Sequence, residues 1–205
     1  MYNENMLKRE ENSLHSIAVK CTNALKNRNI ISAEQENIYI YGFELILSFL
    51  SSFLFIVIWS TIFGKLNVAL IFLLFFIPVR ITSGGYHAST YRSCFILTNT
   101  ITFGSVMLSV ILGNLHNSII ESLAWIGYCF SMFYIYKNAP IVKSKYPMRP
   151  EIIQRNKRYT YKLIALETIA LLVIKLIWNN ELMYAGIIAA ILVAFMIKIS
   201  KKGEK

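Results

Sequence analysis

The sequence predicts an all-α integral membrane protein, with about six transmembrane helices and an N-terminal amphipathic helix at the membrane interface. Three observations carry that prediction. Of the 205 residues, 56% are apolar and only 16% charged, which excludes a disordered chain and an ordinary soluble domain. The apolar residues gather in stretches of about twenty, the length that crosses a bilayer as a helix. The basic residues sit between those stretches, so the net charge of +10 points to anionic lipid head groups and not to nucleic acid.

The elements follow in order. Residues 1–37 are polar, yet Leu7, Leu14, Ile17, Ala18, Cys21 and Leu25 recur at three- and four-residue spacings with charges between them. That is the pattern of an amphipathic helix lying on the membrane surface; a soluble helix packed on a loop is the alternative. The segment lacks the basic start, apolar centre and small-residue cleavage site of a signal peptide, and is expected to be retained. Apolar spans are expected at 40–63, 66–80, 95–113, 118–136, 159–178 and 181–199. The second is short before it meets Pro78 and Arg80. Residues 1–205 read as one membrane domain, its bundle covering 38–199, with a basic loop at 137–158 that contains Pro140, Pro147 and Pro150.

Lys and Arg number five before the first span, then one, two, none, seven and none in the successive connections, and four near the C-terminus. Strong and weak loops alternate. The positive-inside rule therefore places both termini, and residues 81–94, on the cytoplasmic side of the membrane.

All eleven acids are Glu, so a mechanism that needs Asp is excluded. Cys21, Cys94 and Cys129 are an odd number at unrelated spacings, with no second Cys or His at metal-ligand spacing. Neither a disulfide framework nor a metal site is expected, and no cofactor is called for.

Chemistry concentrates in the segment from Arg80 to Cys94, which holds Arg80, Gly84, Gly85, His87, Arg92 and Cys94 within fifteen positions. A thiolate is the better nucleophile, and an imidazole can take the thiol proton and later protonate a leaving amine. Seven residues of continuous helix would displace His87 and Cys94 by about 10.5 Å along the axis. The dyad therefore requires a bend between 84 and 94, and Gly84-Gly85 supplies the permissive backbone. The bland alternative is a small buried hydrophobe at Cys94 and a solvated loop histidine.

Cys129 among Trp125, Tyr128 and Phe130 reads as core packing, as does Cys21 on the apolar face of the first helix. His15 and His116 read as surface residues. Glu44, at the cytoplasmic start of the first span, is expected at the depth of Arg80, where pairing would brace the 81–94 turn; a snorkelling structural Glu is the alternative. Lys162, Glu167 and Lys175 read as bundle polarity.

The run Arg80…Gly85-x-His87-Ala88…Cys94, in a chain of this length with several spans and a later basic Ala139-Pro140 loop, resembles the accessory gene regulator B (AgrB) family of Gram-positive membrane peptidases. The resemblance implies a cysteine endopeptidase with Cys94 as nucleophile and His87 as general acid and base. Arg80, Gly84, Gly85 and Glu44 would be supporting positions, and Asn99 or Glu44 would orient the imidazole. It implies a partner as well: a short amphipathic precursor peptide (AgrD-like) with an acidic C-terminal tail, cut through a thioester and cyclised to a quorum-sensing thiolactone or lactone. Lys143, Lys145 and Arg149 in the basic loop would hold that tail, and the family suggests a homodimer. The competing class is a small transporter or channel component with Glu44, Arg80 and His87 lining a polar path.

Overall fold

The computed structural model describes residues 2–84, 91–141, 149–177 and 180–202, and the side chains of these except 2–13, 33, 91, 92 and 202. Among them the regular structure is helical: α1 (Tyr2–Asn27), a short 3-10 turn at Ala33–Gln35, α2 (Glu36–Ile62), α3 (Leu66–Ser83), α4 (Tyr91–Leu115), α5 (Ser118–Asn138), α6 (Pro150–Ile177) and α7 (Asn180–Lys202). The chain is thus an all-α membrane protein. Helices α2, α3, α4, α5 and α7 are long and apolar enough to cross a bilayer.

Helix α6 departs from expectation. The connection expected over 137–158 is shorter, because α5 runs to Asn138 and α6 begins at Pro150. Proline suits the first helical position, where its missing N–H leaves no bond unmade. The carbonyl of Arg149 accepts from the Ile152 and Ile153 amides at 3.0 and 3.2 Å, so Arg155, Lys157 and Arg158 stand on a helix and not in a loop. Three contacts fix the course of α6 against α5. Tyr136 stacks on Tyr161 with ring centroids 4.4 Å apart, Tyr128 Oη lies 3.0 Å from Thr168 Oγ1, and Glu121 pairs with Lys175. Numbers rise on one helix as they fall on the other. Helix α6 therefore runs antiparallel beside α5 from the first turn of α5 to its last.

The chain forms two units, Met1–Trp59 with Ala88–Thr100, and Ser60–His87 with Ile101–Lys205. In the first, Ala18 and Thr22 are the buried positions of α1, while Leu14, Cys21 and Leu25 are half-buried and Ile17 is exposed, so only part of the face expected from the amphipathic pattern is covered. An ion pair and a hydrogen bond tie α1 to α2: Lys26 Nζ to Glu36 Oε2 at 2.6 Å and His15 Nδ1 to Glu44 Oε1 at 2.7 Å. Phe95 at the start of α4 packs on Phe55 of α2, with centroids 5.6 Å apart.

In the second unit α7 is the central helix. Met183, Ala185, Ile187, Ala189, Val193 and Ile197 are almost wholly enclosed, and α3, α5 and α6 pack around them. Small residues permit this approach; a Cβ on Gly113 of α4 would sit 2.8 Å from the Glu181 amide nitrogen. The buried face of α5 is Tyr128, Ser131, Met132 and Ile135, an i, i+3, i+4, i+7 stripe. Cys129 lies about 100° around the helix from Tyr128 and is exposed, which corrects its reading as a core residue. Leu123, Ile126, Phe130 and Phe133 share the exposed side of α5, a surface that suits lipid and not water.

Candidate active site

The segment expected to carry the chemistry begins where α3 stops. Proline at position 78 does not end α3, which continues to Ser83. Arg80, in its last turn, places its guanidinium 5.5 Å from the Phe76 ring centroid, a cation–π contact. The stop is Gly84, with φ 75° and ψ −163°, whose amide donates to the Arg80 carbonyl at 3.1 Å. That backbone region is accessible essentially to glycine alone. The next described helix, α4, carries Cys94; residues 85–90, where the bend that the dyad requires would fall, lie outside the described residues.

The end of α3 is held from outside. The Ile141 amide donates to the Ser83 carbonyl at 2.9 Å, and a Cβ on Gly84 would lie 3.2 Å from the Ile141 carbonyl oxygen. Ser83, Ala139 and Ile141 are buried. The chain that leaves α5 through the cis Ala139-Pro140 bond therefore packs on the turn where the Arg80–Cys94 segment starts, and the basic connection departs from the same point. Sequence reasoning missed this docking. Pro140 signals a turn, but nothing local names its partner.

Cys94 lies in the first turn of α4, a free, half-buried thiol. The first amides of a helix have no intrahelical acceptor and point outward at this end. One turn further, Asn99 is buried; its Nδ2 donates to the Phe95 carbonyl at 2.8 Å, while its Oδ1 is enclosed with no hydrogen-bond partner among the described residues.

Glu44 is mostly covered and is held by His15, which reaches it from α1 while remaining more than half exposed. His15 is thus a surface residue with a specific partner, where the sequence suggested none. Gly85, His87, Lys143 and Lys145 lie outside the described residues. Arg149 is exposed immediately before α6.

The chain matches the family model for accessory gene regulator B over residues 18–197. A protein of Clostridium perfringens (strain 13 / Type A) described as AgrB-like is 33% identical over 104 residues, 50% of this chain and 52% of the relative. The chain thus aligns with about half the length of that curated relative. No solved structure matches. A match across most of the chain, on a helical membrane framework broken at the predicted segment, establishes that this protein belongs to the accessory gene regulator B family.

Proposed function

We propose that this chain is a membrane-embedded cysteine endopeptidase of the accessory gene regulator system. It removes the C-terminal tail of a short pro-peptide through a thioester on Cys94, and the peptide then cyclises. The observations that support the reading are the end of α3 at Gly84, ahead of the reactive segment, and Cys94 in the first turn of α4. The reading requires a bend between His87 and Cys94, which one continuous helix would hold about 10.5 Å apart along its axis.

Cys94 Sγ attacks the carbonyl carbon ahead of the tail while His87 takes the thiol proton. Collapse of the tetrahedral intermediate breaks the C–N bond, and His87 returns the proton to the departing amine. First-turn amides of α4 serve as donors to the oxyanion, and the free Oδ1 of Asn99 offers an acceptor to orient the imidazole. A thiol or hydroxyl of the same peptide then attacks the thioester, closing a thiolactone or lactone and regenerating Cys94. Exclusion of water favours this ring closure over hydrolysis.

The acidic tail is held by Lys143, Lys145 and Arg149. Support comes from Ile141, which anchors the start of their connection against Ser83 and Gly84, and from the charge match. Because α6 accompanies α5 over its whole length, we assign six spans. Both termini and the active site then face the cytoplasm.

The test is co-expression with the precursor open reading frame adjacent to the gene, with the peptide fragments read by mass spectrometry. Wild type yields the freed tail; Cys94→Ala and His87→Ala, inserted at wild-type levels, yield none. Cleavage that persists in both variants refutes the peptidase and favours the transporter class, which tolerates loss of one thiol.

A further inference from the structure

The interior of the second unit holds a carboxyl group for which the peptidase chemistry has no use. Glu167, near the middle of α6, is 6% exposed, and both of its side-chain oxygens are enclosed with no hydrogen-bond partner among the described residues. A carboxylate taken out of water with nothing to compensate it is among the most unfavourable arrangements a bundle can contain. Ionisable groups at such positions in membrane bundles are paired, ligated or protonated, and they mark functional paths. Pairing fails here. Lys175 is bound to Glu121, and Lys162 is exposed to the outside of the helix. The face that α3 packs inward is Val68, Phe72, Phe75, Phe76 and Val79, which offers no charge.

The surroundings are nonetheless polar in an ordered way. Thr168 follows Glu167 on α6; its hydroxyl lies 3.0 Å from Tyr128 Oη and donates to the Ile164 carbonyl at 2.7 Å. Seven residues back along α5 (128 − 121 = 7) and seven forward along α6 (175 − 168 = 7) stands the Glu121–Lys175 pair. A seven-residue step returns to nearly the same helix face, about 10.5 Å along the axis. At the same end, Lys65 Nζ binds Glu181 at 3.0 Å. The Glu121–Lys175 and Lys65–Glu181 pairs thus form a charged end of the unit, and the Tyr128–Thr168 hydroxyl pair stands between that end and Glu167 along α6.

We propose that Glu167 is a proton-binding site inside the bundle. On loading, one proton from water adds to a carboxylate oxygen and forms an O–H bond; on release it returns to water. The proposal is independent of the peptidase reading.

The experiment uses the full chain in liposomes treated with dicyclohexylcarbodiimide. This lipid-soluble reagent takes up a protonated carboxyl by addition across its N=C=N group and rearranges to a stable N-acylurea with no atoms lost. A water-soluble carbodiimide is used in parallel, and adducts are mapped by peptide mass spectrometry. The lipid-soluble reagent is expected to modify Glu167 at least about tenfold more than the water-soluble one, because only the former enters a dry, apolar interior. Exposed Glu151 is expected to show the reverse preference. The signal disappears in the isosteric Glu167→Gln. Absence of an adduct at Glu167 in wild type, or equal modification by both reagents, overturns the proposal. An unlabelled Glu167 in a protein that still cleaves its precursor overturns this inference and leaves the peptidase intact.

Discussion

At Gly84 a single backbone conformation determines where the reactive segment can begin. Its φ of 75° and its contact with the Ile141 carbonyl leave no room for a side chain. Gly84→Ala is expected to cost about 1–3 kcal/mol and to reduce precursor cleavage more than protein level, measured by thermal unfolding in detergent and by peptide yield. A melting temperature equal to wild type would contradict the strain argument. By contrast, a Cβ on Gly186 would meet the end of the Leu171 side chain and the Phe75 ring; Gly186→Ala should be the milder change, because a side-chain tip can turn aside. The glycine pair was legible in the sequence as the place where the helix must stop. That Ile141 holds it was not, because the two positions lie 57 residues apart (141 − 84 = 57), and no local pattern encodes so distant a hydrogen bond.

Helices in a bilayer obscure some of the signals that a soluble protein displays. On α5 both the packed face and the lipid face are apolar, so a Cys between aromatics reads equally well as core or exterior; Cys129 proved to be exterior. On α6 the first turns are polar and start with proline, and they read as a loop until the α5 contacts reveal a helix. The seam between these helices gives a measurable prediction. Removing the Tyr128 hydroxyl with Tyr128→Phe should destabilise the protein by about 0.6 kcal/mol, the mean for a hydrogen bond between membrane helices. A double-mutant cycle across Glu121 and Lys175 should return a positive coupling of about 0.5–1.5 kcal/mol, and zero coupling would remove this pair from the seam. On α1, the contact of His15 with Glu44 was invisible to local reasoning because 29 residues separate the partners. His15→Ala is expected to increase proteolysis within α1 while leaving α5–α7 protected.

At the scale of the whole molecule, the orientation we propose follows the alternation of basic and neutral connections, with α6 counted as a span beside α5. An impermeant thiol reagent applied to intact cells should leave Cys94 unmodified and should react there only after the membrane is opened; reaction in intact cells would invert the proposed topology. In that proposed orientation the docked Ser83–Ile141 junction and the connection to α6 face the side where a newly made peptide arrives. The central claim is that Cys94 carries the precursor as a thioester. It is tested most directly by mass spectrometry of the intact protein after a brief exposure to precursor. The account predicts a mass increase equal to the precursor without its tail, released by hydroxylamine, mapping to the peptide that contains Cys94 and absent in Cys94→Ala. An adduct at another residue, or tail release from Cys94→Ala, would contradict it.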